Sequence, residues 1–279
     1  MDPITGKYPS WSPYNFTFNN PINLTDPDGA DPFPPSTFID ENGNVVGGTV
    51  NDNDLGVYQV PGLTRANFDV SKISQYKQEG TRVGETYSLY TFLNPETGKW
   101  LGKVNFNYEA KNNLLQATKG LGSFMLTHSA FQSLEYYMKN AGNFGIYDIK
   151  TLGIPGGRNS SPLERTKYAY EASFVSEGMI MTRRDQGNFF AGRAAKMIGL
   201  SKAAMLSGMG AYNSNGNQRN GLIDGTLFYL KVGINWLDQK IMGAAINGTP
   251  MQGMRITPIY PEDRISDDLQ RAGYNQFQR

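Results

Sequence analysis

Asp148 and Lys150 stand two apart in the run Tyr147-Asp148-Ile149-Lys150. Positions two apart on a strand share a face, so a carboxylate and an ammonium would lie side by side. Such a couple suits proton transfer or the holding of a phosphate. It equally suits a surface ion pair worth about 0–1 kcal/mol. Asp185 and Asn188 flank Gly187 ahead of an apolar-periodic run, so Asn188 is expected to open a helix reaching about Ile198. Either side chain would cap that helix. The same N-terminus, with Gly187 open to close approach, would also attract an anionic substrate. Arg183, Arg184, Arg193 and Lys196 would add positive potential as substrate-binding groups. Gly192, Ala195 and Gly199 make a small-residue face suited to close helix packing.

His128 is the sole imidazole. On its apolar helix it reads as a partly buried, hydrogen-bonded histidine, with general base as the second reading. Glu262, Asp263, Asp267 and Asp268 form an acidic helix start. Those acids could complement the helix dipole, act in acid–base steps or ligate a divalent cation; no cofactor is required. Glu164, Glu171 and Glu177 are the carboxylates from which a glycosidase pair could be drawn.

Composition narrows the chemistry. The 279 residues hold no cysteine and one histidine, which excludes disulfide scaffolds, thiolate metal sites, a Cys nucleophile and any mechanism needing two imidazoles. Aromatics at 12% argue against a disordered chain. The opening MDPITGKYPS is acidic and turn-rich, unlike a signal or transit peptide. The most apolar stretch, Leu222–Ile246, is broken by Asp224, Lys231, Asp238 and Lys240, so no stable membrane insertion is expected. Charge is uneven: residues 1–60 sum to −7, 61–130 to +3 and 131–279 to +5, giving the net +1. An acidic front and a mildly basic back fit two functional parts and an anionic target, although an ordinary solvated surface would look the same.

These groups need elements to position them. Eight prolines between Pro3 and Pro35 make residues 1–36 extended and turn-rich. Residues 37–108 read as β-rich. Thr37–Ile39 and Asn44–Val46 flank the turn at Asp40–Gly43, Gly56–Val60 is a strand, and Thr86–Leu93 and Trp100–Tyr108 form a hairpin about Asn94–Gly98. From Glu109 the period turns helical, with a break near Gly120–Gly122. Ile146–Lys150 reads as a strand. Ser161-Pro162 starts a helix whose body, Glu164–Thr182, follows, and Ser201 caps a short one through Leu206. Ala211–Gly221 is a loop, Thr226–Ile246 a helix, and Pro261–Asp263 opens a last helix with Gly273 after its end. The expected class is α+β: β hairpins in front, then a mainly helical domain over residues 109–279.

Two resemblances add to this. Asp2-Pro3, Lys7-Tyr8-Pro9-Ser10, Ser12-Pro13-Tyr14, Asn19-Asn20-Pro21-Ile22 and Asp26-Pro27-Asp28-Gly29 together resemble the C-terminal end of an RHS/YD-repeat shell. That junction is where polymorphic toxins attach variable effector domains. Tyr147–Lys150, Asp185–Phe189 running through Gly192 to Gly199, and the acidic helix from Glu262-Asp263 to Gly273 resemble the polymorphic toxin type 44 domain. The resemblance implies a secreted antibacterial effector and contractile injection system cargo in interbacterial competition, exported without a cleaved signal and acting inside a target cell. It implies a nuclease, RNase-like, with catalytic Asp148, Lys150, Asp185 and Asn188. The implied partners are an injection or secretion apparatus component, a cognate immunity protein and a nucleic-acid substrate. The alternatives are a wall-glycan hydrolase using carboxylates and a non-enzymatic pore former.

Overall fold

The computed structural model of the chain describes residues 35–49, 52–88, 90–94, 97–107, 110–142, 144–176, 178–200, 205 and 264–276. The expectations for residues 1–34, Ser201–Leu206 apart from Met205, Ala211–Gly221, Thr226–Ile246 and Pro261–Asp263 lie outside these, as do Glu177 and the side chains of Asp267 and Asp268. The chain divides into two compact units, Met1–Ala117 with Ile149–Gly187, and Thr118–Asp148 with Asn188–Arg279. Among the described residues no helix is long and apolar enough to cross a membrane.

The first unit is built on strands β1 (Thr37–Ile39), β2 (Val45–Gly48), β3 (Gly56–Gln59), β4 (Thr81–Thr86), β7 (Lys103–Val104), β8 (Glu171–Ser176) and β9 (Met179–Thr182). They form one seven-stranded mixed sheet in the order β2-β1-β3-β4-β9-β8-β7. The first and last strands of that order meet. Val45 N–H donates to the Gly102 carbonyl at 3.0 Å, Val104 N–H donates to that of Gly43 at 2.8 Å, and Asn44 bridges Lys103. The sheet thereby closes into a small barrel at this short seam. Closure needs glycine at position 43. Its φ is +80°, and a Cβ there would lie 2.2 Å from the Val104 carbonyl oxygen.

The barrel interior draws on every strand. Ile39, Val45, Val57, Val104, Ala172 and Ile180 pack with Phe92, and Val83, Trp100 and Phe174 complete the layer. The opposite faces of β1 and β2 supply Phe38 and Val46, which pack on Tyr76 of α1 (Ile73–Glu79) together with Val60 and Leu63. Period-two alternation thus serves two cores at once. A separate two-residue ladder joins β5 (Leu93–Asn94) to β6 (Lys99–Trp100).

An ion cluster pins this unit's start. Lys77 Nζ lies 2.8 Å from Asp52 Oδ2 and 2.6 Å from Asp54 Oδ2. Asp54 also accepts from the Tyr58 hydroxyl at 2.8 Å and from Gly56 N–H at 2.7 Å. Ser36 donates to Asp52 through both its backbone N–H and its hydroxyl. Burial pushes the Asp54 carboxyl up, but the bonds from Lys77, Tyr58 and Gly56 outweigh it and hold the group below its ordinary value. A lowered aspartate contributes stability that is present above its unfolded pKa and is lost as pH falls through the folded one. Asp54→Asn is therefore expected to lower stability by about 1 kcal/mol at neutral pH and to flatten the acid limb of a plot of Tm against pH. An acid limb identical to the wild type would show that this cluster does not set it.

Several expectations give way here. Only Pro162–Ala169 of the expected helix through Thr182 is helical (α4); its N-terminus is the Ser161–Glu164 capping box. Residues 171–182 form the β8–β9 hairpin instead, turned at Gly178 with φ +72°. The back half therefore supplies two strands to a sheet begun in the front half, and the class is mixed α/β. The hairpin about Asn94–Gly98 forms at its base, where Leu93 pairs with Trp100 and Asn94 with Lys99, but beyond Phe92 its arms part: Thr86 belongs to β4, which pairs with β3 and β9, and β7 pairs in parallel with β8. Residues 146–150 are turns, because Tyr147 N–H bonds to Asn140 O and Asp148 N–H to Gly145 O within one tight loop.

The second unit is helical among the described residues, two of its helices beginning in residues of the first. α2 (Ala110–Met125) runs unbroken through Gly120 and Gly122, and the break falls after Met125. α3 (Ala130–Ala141) opens on a Ser129–Gln132 capping box. α5 spans Arg183–Ile198, so it begins five residues before Asn188. Gly199, at φ +92°, ends it, its N–H reaching the Ala195 and Lys196 carbonyls. The last helix, α6 (Arg264–Gln276), passes through Gly273 rather than stopping before it. The reason is contact. A Cβ on Gly192 would sit 1.7 Å from the Gln270 carbonyl oxygen, and one on Gly273 would sit 1.8 Å from that of Phe189. Two helix backbones touch at these glycines. Gly192→Val should force them apart and cost about 1–3 kcal/mol or more, read as a fall in the denaturant midpoint; a midpoint equal to the wild type would refute the close crossing.

Candidate functional site

The predicted site residues fall in both units. Lys150, Asp185 and Gly187 belong to the first, and Asp148 and Asn188 to the second.

In the first unit, α5 starts directly from β9. Thr182 N–H donates to Asp185 Oδ2 at 3.3 Å, and Asp185 N–H donates to Thr182 Oγ1 at 3.2 Å. This reciprocal pair, three residues apart, is a capping arrangement. Asp185 is fully buried, and its other oxygen lies 3.3 Å from Arg184 Nη2. Arg184 also donates to the Tyr170 hydroxyl at 2.7 Å and to the Tyr90 carbonyl at 2.6 Å. Arg183 Nε is 3.2 Å from Glu171 Oε2, and its guanidinium lies 4.0 Å from the Tyr168 ring centroid. Glu171 accepts from Asn105 Nδ2 at 2.9 Å, and the Tyr168 hydroxyl donates to Leu152 O at 2.6 Å. Burial pushes the Tyr168 phenol up, with Arg183 opposing and Glu171 adding to the rise. The two arginines expected to meet substrate are thus engaged within the first unit. Lys150 is half-buried, its stem against α5: a Cβ on Gly187 would be 3.2 Å from Lys150 Cγ.

The carboxylates weighed for glycan cleavage are similarly engaged. Glu164 accepts from Ser161 N–H at 2.7 Å and from its hydroxyl at 2.8 Å, bonds that hold its pKa down. Glu171 is bound to Arg183 and Asn105.

In the second unit, Asp148 is buried and accepts from Phe144 N–H at 3.0 Å. Phe144 has φ +64°, so Asp148 closes a turn that carries a non-glycine residue in the left-handed region. Asn188 is buried in the second turn of α5. Arg193 is half-buried, 4.9 Å from the Phe189 centroid, with Nη1 3.5 Å from Thr118 Oγ1; burial holds its pKa below the usual arginine value. Its Nε is buried without a hydrogen-bond partner. Lys196 Nζ lies 4.7 Å from the Tyr274 ring centroid. His128 is exposed, not partly buried, because α2 has ended three residues earlier. Among the described residues no group of three or more His, Cys, Asp or Glu is placed to hold a metal ion.

Sequence reasoning did not reach Asn105, Tyr90, Tyr168 or Tyr170. Asn105 lies 66 residues from Glu171 and Tyr90 lies 94 from Arg184, separations that leave no periodic signal. Phe124 and His128, four apart, meet just past the end of α2. Compared with known proteins, the chain matches no family model, no curated protein and no solved structure.

Proposed function

We propose that this protein is the effector end of an RHS-type polymorphic toxin, a secreted antibacterial hydrolase of nucleic acid. The observation that carries the reading is the string from Asp2 to Gly29, with its spaced Pro, Asn and aromatic residues and its terminal Asp26-Pro27-Asp28-Gly29. A closed barrel whose first described strand starts at Thr37 supports it, because the body after that string has its own core. Chemistry on an anionic substrate would fall to Lys150 in the first unit, with Asp148 of the second a separate candidate. Lys150 is half-buried with its stem beside Gly187, and an ammonium is a point charge of the kind that binds phosphate. Against wall-glycan cleavage stands the engagement of Glu164 and Glu171 in caps and ion pairs, which leaves neither free to protonate a glycosidic oxygen.

Paired expression tests this. Production in the bacterial cytosol should stop growth with loss of RNA or DNA integrity, and periplasmic targeting should not add to it. Toxicity confined to the periplasmic form would overturn the nucleic-acid assignment. Residues 1–36 are expected to be needed for loading or export and dispensable for toxicity inside the target cell. A chain lacking 1–36 that folds but no longer kills from within would refute that division of labour.

A further inference from the structure

Three rings of the second unit lie face to face. His128 stacks on Phe124 at 3.7 Å between centroids and 8° between planes, and Phe124 stacks on Tyr136 at 3.9 Å and 5°. The inner end is rooted in the core: Tyr136 meets the buried Tyr147 edge-on at 6.0 Å, and Tyr147 packs on Phe190 at 5.6 Å. The outer end is exposed. His128 Nδ1 lies 2.8 Å from the Phe124 carbonyl and 2.9 Å from Thr127 Oγ1, which fixes the imidazole plane. With Nδ1–H given to that carbonyl, Nε2 is left for another partner. Among the described residues no other ring stacks on His128. Burial alone does not account for an aligned stack whose last ring faces water, flanked in sequence by Leu126 and Phe131 at 86% and 66% exposure.

We infer that the open face of His128 is a stacking platform for a nucleobase of a single-stranded nucleic acid, with Nε2 and Lys139 meeting the adjoining phosphate. The inference rests on the proposed nucleic-acid reading and names a subsite for it. Every base presents a planar π-face, and a ring held rigidly at stacking distance from its neighbour accepts one without regard to sequence. Charge agrees. Residues 118–142 hold Lys119 and Lys139 against Glu135, one cation in excess, and Lys139 is exposed one turn beyond Tyr136 on α3.

The test uses the full chain and short single-stranded DNA and RNA oligonucleotides carrying 2-aminopurine, whose fluorescence falls on stacking. The wild type should bind and quench. His128→Ala should bind about 5- to 100-fold more weakly, the worth of one stacked base, and lose the quench. His128→Trp should keep both. Lys139→Ala should weaken all sequences alike and lower the salt slope by about one counterion. Unchanged binding and quench in His128→Ala, or a wild type that binds no oligonucleotide, would overturn the platform. So would wall-glycan fragments binding with the same dependence on residue 128. Binding that depends on His128 in a chain that cuts no nucleic acid supports the platform and defeats the hydrolase reading. Cleavage indifferent to residue 128 does the reverse.

Discussion

Asp185→Ala is expected to destabilise the protein by about 3–5 kcal/mol, the cost of breaking a buried pair and leaving its partner uncompensated. The carboxylate is fully buried, receives Thr182 N–H and faces Arg184. Removing it leaves the start of α5 uncapped and a guanidinium with only 18% of its side chain exposed short of one partner. A merely exposed N-cap would cost about 1 kcal/mol. Chemical denaturation separates the two sizes. Asp185→Asn, which keeps one acceptor for Thr182 N–H but not the charge, should fall between them. A variant as stable as the wild type, yet inactive, would restore Asp185 to the chemistry.

Lys150→Met and Asp148→Asn are expected to lower nucleic-acid cleavage by about two to four orders of magnitude, the usual contribution of an acid–base group. Both variants are chosen to spare the fold. Met keeps the stem that lies on Gly187, and Asn keeps an acceptor for Phe144 N–H. Melting should therefore move by about 1 kcal/mol or less for Lys150→Met and by more for Asp148→Asn, whose site is buried beside the left-handed Phe144, so both rates are compared on folded protein. Asp148→Ala is a different experiment. It removes the acceptor of the part-buried Phe144 N–H and should cost about 1 kcal/mol or more whatever its effect on rate. Full cleavage by Lys150→Met and Asp148→Asn together would end the assignment of chemistry to either residue.

The parts legible in the residues were those decided within one or two turns of chain. Ser161-Pro162 followed by Glu164 reads as a helix start because each group bonds its neighbour three residues away, and α4 begins there. Thr37–Ile39 and Val45 read as a hairpin because a turn at Asp40–Gly43 lies between two alternating runs, and β1 pairs β2 there. The small face of α5 read as a packing surface, and Gly192 packs against another backbone. Beyond that range the local signal misled. Glu171–Thr182 follows a strong helix start and contains Ala, Glu and Met, yet Ala172 and Ile180 are consumed by the barrel interior. Strand propensity of this kind is a property of the surface a segment packs on.

Composition by itself settled what the chemistry could not be, since a chain with no cysteine and one histidine has few nucleophiles and metal ligands to offer. It also marked the acidic, proline-rich front. Only the tertiary structure decided that Lys103 pairs with Glu171, that Thr86 pairs with Ile180, and that Val45 and Val104 bond across the seam that closes the sheet. It likewise decided that Arg183 pairs with Glu171 and Arg184 with Asp185 within the first unit, while His128 stands exposed at the end of three stacked rings. The physical reason is one of range. Capping and turn formation are settled by neighbours in sequence, whereas burial and charge pairing depend on groups tens of residues away, whose positions no local pattern records.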